Sequence, residues 1–371
     1  MLEKFRTEAN RCNLCAACHL SCPVYDHLSW EYNCARGRSL IILALLRNQI
    51  RITDTVLNSI YSCTLCKRCE VDCPPGVKLT DMVEAARFDF VRMGKGPLDI
   101  YKQLAENLRT KGNVLGVDPS VQLSIFNEAN ISQKPSENLL FVGCMAAYMY
   151  KNIAQSTAMI LKAMNYDFTY LGSEEICCGG PLYLQGLEDE FTGIAKANVE
   201  KIEKLGIKRI IAICPMCYSA FKQLYTGPTK LRNIQILHIT ELLSESIGKE
   251  DLVYKKKFPL KVVYQDPCHL GRYSGIYEAP REILRRIPGL NLLELSENRE
   301  LAKCCGGPIK QAFREVAYEI SLDILRDAKN LGAEAIVTAC PTCYHALTAS
   351  SWEYQLKVFG ITEVVATAMG L

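Results

Sequence analysis

Nineteen cysteines stand in this chain of 371 residues, and all but Cys34 fall into four ordered groups. Two groups are C-x2-C-x2-C-x3-C-P runs: Cys12, Cys15, Cys18, Cys22 with Pro23, and Cys63, Cys66, Cys69, Cys73 with Pro74. The other two follow a longer order of a single Cys, a CCGGP and a CPxC. They comprise Cys144, Cys177, Cys178, Cys214 and Cys217, then Cys268, Cys304, Cys305, Cys340 and Cys343. Clustered thiolates are soft ligands, and at this density they point to iron held for electron transfer. Zinc is the competing metal, because CxxC pairs also make zinc sites. Two full runs, each closed by a proline, favour iron.

Bulk composition narrows the alternatives. Apolar residues make up 49% and charged residues 22% of the chain, so it can bury real cores. A formal charge of +3 gives no argument for nucleic acid or an anionic membrane surface. A secreted disulfide scaffold would be short and would follow an apolar leader, whereas this chain opens MLEKFRTEANRC. The longest apolar stretch, Leu40 to Leu46, falls far short of the roughly 20 residues that a membrane-spanning helix needs. The expectation is a cytoplasmic protein, peripheral to a membrane only through a partner.

Residues 1–95 read as a cluster module. In runs of the bacterial ferredoxin type, three cysteines ligate one cluster and the fourth ligates the other. On that pattern Cys12, Cys15, Cys18 and Cys73 hold one [4Fe-4S] cubane, and Cys63, Cys66, Cys69 and Cys22 hold the second. The segments GRSLIILALLRNQI and DMVEAARFDFVRMG carry helical apolar spacing, too much for a small hairpin ferredoxin. The module resembles the helical ferredoxin domain of fumarate-reductase and heterodisulfide-reductase iron–sulfur subunits. Cys34 is expected to pack as a small apolar residue, and Arg36 and Arg38 to be solvated.

Residues 96–137 read as helices and loops joining two domains, after which the chain repeats itself over 138–250 and 258–371. LLFVGC, RIIAIC, KVVYQDPC and AIVTAC are short β-branched runs ending on cysteine, alternating with amphipathic helical stretches. That alternation predicts parallel sheets with ligands gathered at the carboxyl ends of the strands. The spacing repeats too. From the single Cys to the pair there are 32 and 35 intervening residues, and from the pair to CPxC 35 and 34. Gly179, Gly180, Gly306 and Gly307 would let backbone N–H groups approach a cluster. Pro181 and Pro308 would each start a helix aimed at the anionic site. The fold class is therefore α plus α/β: a helical 2x[4Fe-4S] ferredoxin domain, then a duplicated α/β CCG domain with parallel strands, its two sites related by a pseudo-twofold axis.

The two complete cysteine sets behind a double ferredoxin run resemble the catalytic subunit of heterodisulfide reductase in its single-chain form. That resemblance implies a non-cubane [4Fe-4S] cluster on each five-cysteine set, two facing sites, and reduction of a coenzyme M–coenzyme B type disulfide to two thiols. It also implies a hetero-oligomeric complex with a membrane cytochrome b-type subunit or a flavoprotein as electron partner. His269 is a candidate proton or hydrogen-bond donor, and Arg272 and Lys310 are candidate partners for a substrate anion. His238 and His345 are expected to be structural. The alternative resemblance is to electron-transfer subunits of flavin-linked glycolate, lactate or glycerol-3-phosphate dehydrogenases. This chain itself shows no G-x-G-x-x-G after a strand.

Overall fold

A computed structural model describes residues 1–247 and 252–371; the expected repeat boundary at 250 lies outside them. The N-terminal region is helical, with helices Ala35–Leu46, Asp54–Tyr61 and Leu79–Arg92. The connecting segment forms two further helices, Asp99–Lys111 and Val121–Glu128. Two parallel sheets follow. β1 (Asn138–Phe141), β2 (Arg209–Ala212) and β3 (Gln235–His238) lie in the order β1-β2-β3. β4 (Lys261–Gln265), β5 (Asn291–Leu293), β6 (Ala335–Thr338) and β7 (Lys357–Gly360) lie in the order β5-β4-β6-β7. A single parallel bridge from Leu139 to Thr169 stands where β5 stands in the second sheet.

The duplication is close enough to match helices across it. Glu188–Lys204 and Arg314–Asn330, each 17 residues, precede β2 and β6. The helix after the first strand of each repeat packs on the helix after the last strand of the other. Thus Lys151–Ala163 lies against Ile361–Met369, and Glu278–Arg286 against Ile239–Glu245. Such reciprocal packing is what a pseudo-twofold axis requires.

Strand alternation distributes the core. Leu140, Ile211, Val262, Tyr264, Ala335 and Val337 face a core shared by both repeats. Leu139, Phe141, Ile210 and Ala212 face outward, into a core continuous with Ile42, Ile60, Met82 and Phe90 of the ferredoxin module. Val263 and Ile336 enter a separate core on the second repeat. Each such aliphatic side chain contributes roughly 1.5–3 kcal/mol by leaving water, so the modules fuse through apolar packing. Among the described residues no helix is long and apolar enough to cross a membrane.

The strands stop short of the cysteines that were expected to end them. β1 ends at Phe141 before Cys144, and β4 at Gln265 before Cys268. Gly143, at φ +78°, turns the first chain out of the ladder, and Pro267 has no N–H to offer the second. The DPC turn is held by a buried ion network. Arg281 donates to Asp266 at 2.7 and 2.8 Å and to Glu294 at 2.8 and 3.0 Å. The Arg299 N–H also reaches Asp266, at 2.9 Å. Removing the cation leaves a buried carboxylate unpaired, a change that costs about 3–5 kcal/mol. Arg281→Met should therefore lower the unfolding free energy by about that amount in anaerobic denaturant titration of the iron-loaded protein. A loss under about 1 kcal/mol would show that the network does not hold the turn.

Candidate iron–sulfur site

Both ferredoxin loops share a backbone shape that their sequences do not announce. Leu14 and Ala16 in the first run, and Leu65 and Lys67 in the second, all sit at positive φ between 54° and 64°. Non-glycine residues enter this region at a cost of roughly 1–2 kcal/mol each. In each run the two residues flank the second cysteine, Cys15 or Cys66, and four such residues at matching positions mark loops shaped for a common ligand. Cys22 does not stay with its own run. It lines a small cleft with Cys63, Cys66 and Cys69, so the fourth cysteine of the first run sits with the first three of the second. Burial pushes the Cys22 and Cys69 thiols up. Cys18 lies near Cys12 and Cys22, and Cys73 accepts from the Val77 N–H at 3.3 Å. Cys15 is exposed, marking the solvent edge of the module.

Two arginines near these loops depart from expectation, and Cys34 is buried as expected. Arg38 is 1% exposed rather than solvated. It donates to Ser59 O at 2.8 Å and Ser62 Oγ at 2.9 Å, and its Nη1 lies 3.8 Å from Cys22 Sγ. It has no carboxylate partner among the described residues, so the anionic thiolate set supplies its counter-charge. Arg36 is half-buried and pairs with Glu31 at 2.6 Å. Cys34 also caps a helix: its Sγ accepts from the Gly37 N–H at 3.3 Å.

The first five-cysteine set converges completely. Cys144, Cys177, Cys178, Cys214 and Cys217 are all buried, with Cys144 and Cys177 sulfurs 3.9 Å apart. Cys178 meets Cys217, and Cys217 meets Cys214. Hydrogen bonding with neighbouring thiols, Cys144 first, holds Cys177 well below its usual range, and the Gly179 N–H adds to this. The loop before Cys144 is clamped by Glu175, whose carboxylate accepts from Val142 N at 2.9 Å and Gly143 N at 2.7 Å. A Cβ on Gly143 would lie 3.0 Å from Cys217 Sγ, which fixes glycine there.

The second set repeats this arrangement: Cys304, Cys305, Cys340 and Cys343 are buried and Cys268 is half-buried. Gly306 (φ +76°, like Gly179) donates its N–H to Cys304 Sγ at 3.4 Å, and the Gly307 N–H reaches Cys305. Gly180 and Gly307 also leave room for the residue inside CPxC. A Cβ would come within 2.5 Å of Met216 Cε at the first and 2.6 Å of Thr342 Cγ2 at the second. Pro181 starts a short helix as expected, but Pro308 opens only the 3-10 turn Gly307–Ile309, and the long helix begins at Arg314.

The sulfur groups adjoin one another. Cys66 of the ferredoxin loop lies within hydrogen-bonding reach of Cys304, and Cys214 of the first set within reach of Cys340 of the second. Arg272 fastens the first junction, donating from Nε to Cys66 O at 2.5 Å and from Nη1 to Ala302 O at 2.8 Å. Tyr273 Oη and Arg68 Nε add bonds to Leu65 O at 2.7 Å and Leu301 O at 2.9 Å. Arg272 thus sits between modules, not on the surface, and its bonded nitrogens are committed to backbone.

A cavity of about 480 Å³ opens between the sets, bordered by Cys144 from the first and by Cys268, Cys305, Cys340 and Cys343 from the second. Among the described residues its lining carries Lys310, Arg314, His269 and His345 and no carboxylate. His345 is part of this wall, contrary to a purely structural role: its ring nitrogens lie 2.7 Å from Tyr150 Oη and 3.0 Å from Lys310 Nζ. Burial pushes His269 down to about 4, so the ring is neutral, and neither nitrogen has a partner. His238 is structural, its ring bonded to Ile213 O at 3.0 Å and Thr240 at the start of a helix.

The buried, convergent thiols, the N–H groups aimed at them and the uncompensated Arg38 all fit iron–sulfur clusters. Comparison with known proteins agrees. The cysteine-rich CCG domain model matches residues 139–222 and 262–348, and the 4Fe-4S dicluster domain model matches 8–77. The chain is 29% identical to a subunit of the dihydromethanophenazine:CoB–CoM heterodisulfide reductase of Methanosarcina acetivorans, covering 98% of this chain and 95% of that one. It is 29% identical to the EtfAB:quinone oxidoreductase of Syntrophomonas wolfei, over 84% of this chain and 46% of that protein. A Helicobacter pylori protein of hypothetical function shares the fold, with TM-score 0.62 at 11% identity over 91% of this chain and 68% of that one.

Gly307→Ala should lower iron occupancy by displacing Thr342, and Gly307→Ala with Thr342→Ala should restore it, as read by iron analysis and visible absorbance. Equal iron in wild type and Gly307→Ala would show that this contact does not shape the site. Arg38→Gln should shift the reduction potential of one ferredoxin cluster downward in an EPR-monitored titration, because the cation stabilises the more negative reduced state. An unchanged set of potentials would count against the counter-ion role.

Taken together, the chain is an iron–sulfur oxidoreductase built from a 4Fe-4S dicluster domain and a CCG domain pair, distantly homologous to the heterodisulfide reductase chain of Methanosarcina and to other CCG iron–sulfur oxidoreductases.

Proposed function

We propose that this chain reduces a disulfide of the coenzyme M–coenzyme B type to two thiols in the cavity between its two five-cysteine sets. The observation that carries the reading is that one cavity is bordered by cysteines of both sets, which also touch through Cys214 and Cys340. Lys310, Arg314 and His345 line the same cavity, and a relay between clusters has no need of such groups. The balance is one disulfide, two electrons and two protons giving two thiols. Non-cubane [4Fe-4S] clusters on the two sets, fed by the ferredoxin cubanes, would supply those electrons one at a time.

The chain's own residues do the rest. Lys310 and Arg314 set a cationic wall facing no carboxylate, suited to the sulfonate, phosphate or carboxylate ends of such a substrate. The Tyr150–His345–Lys310 chain offers exchangeable protons at the wall where thiolates would leave. Electrons would enter at the exposed Cys15 edge, from a membrane cytochrome b-type subunit or a flavoprotein, and pass inward by the Cys66–Cys304 junction.

With reduced viologen as donor, the iron-loaded chain should turn over the coenzyme M–coenzyme B disulfide anaerobically. Cys178→Ala and Cys305→Ala should each abolish turnover while leaving the ferredoxin clusters reducible. Turnover surviving both single changes would end the two-set mechanism. Full cluster content without any wild-type turnover would favour the alternative, an electron-transfer subunit of a flavin-linked dehydrogenase.

A further inference from the structure

Two buried polar groups on the cavity wall have no partner among the described residues. Tyr101, on the helix Asp99–Lys111, is 1% exposed, and Gln185 is 5% exposed. Both line the cavity, and neither Tyr101 Oη nor Gln185 Oε1 makes a hydrogen bond. The Ala312 N–H lies near the Tyr101 hydroxyl but is bonded to Ile309 O at 3.2 Å. Nearly all buried polar groups in native proteins are satisfied, so an orphan pair facing one chamber points to a ligand. Both groups are fixed in place: Tyr61 packs on the Tyr101 ring at 6.1 Å and donates its hydroxyl to Gln185 O at 3.2 Å.

We propose that Tyr101 and Gln185 form a specificity-determining subsite that hydrogen-bonds a neutral donor–acceptor group, such as an amide, in one arm of the substrate. The inference rests on the disulfide reading above and deepens it. Tyr101 supplies the donor and Gln185 Oε1 the acceptor. Burial holds the Tyr101 phenol protonated, so it remains a donor. Around them Leu104, Val114, Leu115 and Leu184 give an apolar wall suited to a methylene chain. Tyr101, Leu104, Val114 and Leu115 all come from the segment between the two matched domain families. The connecting segment is therefore part of the substrate site, and it is where relatives with other substrates would differ.

The test uses the oxidised, iron-loaded chain, so that binding is read without turnover. Two synthetic disulfides of equal length are titrated calorimetrically under argon, one with an amide in its longer arm and one with methylenes throughout. Wild type should bind the amide compound about thirtyfold tighter, the worth of two satisfied buried hydrogen bonds. Tyr101→Phe should cut that preference about fivefold, with an unchanged cluster absorbance spectrum, and Gln185→Met should do the same independently. Equal binding of both compounds by wild type, or a preference undiminished by either substitution, would overturn the subsite and leave the disulfide reading standing. Binding of neither compound by wild type would overturn both.

Discussion

The organising constraint of this molecule is the burial of many thiols at a few points. Each thiolate carries negative charge into a low-dielectric interior, where an unpaired charge is expensive. The structure answers with groups that cannot be released elsewhere. N–H donors at Gly179, Gly306 and Gly307 face the sulfurs. Arg38 is buried beside Cys22 without a carboxylate. Those same groups are costly when the thiols are empty, so cluster assembly and folding are expected to be coupled. Strained Leu14, Ala16, Leu65 and Lys67 follow from the same constraint: the loops accept an unfavourable backbone to bring their ligands together.

Duplication gives two similar shells, but the ferredoxin module breaks their symmetry. Its second loop docks on the second set, through Cys66 beside Cys304 and through Arg272, Tyr273 and Arg68. The apolar core of the module merges instead with the outer face of the first sheet. The ferredoxin region thus clamps across the pseudo-twofold pair. Arg87 reinforces the other side, donating to Cys63 O at 2.7 Å and to Leu184 O at 2.6 Å. Sulfur groups follow one another from the exposed Cys15 edge to the cavity, with the second set nearer the ferredoxin loop.

What local pattern encodes is legible in the sequence. The cysteine spacing, the helical ferredoxin region and the alternation of strands and helices all describe the folded chain. His238, expected to be structural, stands at the junction of β3 and the helix Ile239–Glu245. What depends on packing between distant segments is not legible. Arg38 reads as a surface charge until its helix is laid against Ser59 and Ser62. His345 reads as structural until Tyr150, from the other repeat, closes on it. Tyr101 sits in a segment without motif, and only the tertiary fold carries it to the cavity. The edge strands β5 and β7, NLL and KVFG, leave no clear mark, because they lack the cysteine-ended apolar runs that announce β1, β2, β4 and β6.

The central claim is that substrate sulfur binds between the two cysteine sets. It is tested most directly by an anaerobic crystal structure of the iron-loaded protein soaked with a disulfide substrate. The two sulfur atoms of that substrate are expected in the cavity bordered by Cys144, Cys268, Cys305 and Cys340, one toward each set. A substrate found outside that cavity, or a cavity closed by the protein's own side chains once iron is in place, would contradict the claim.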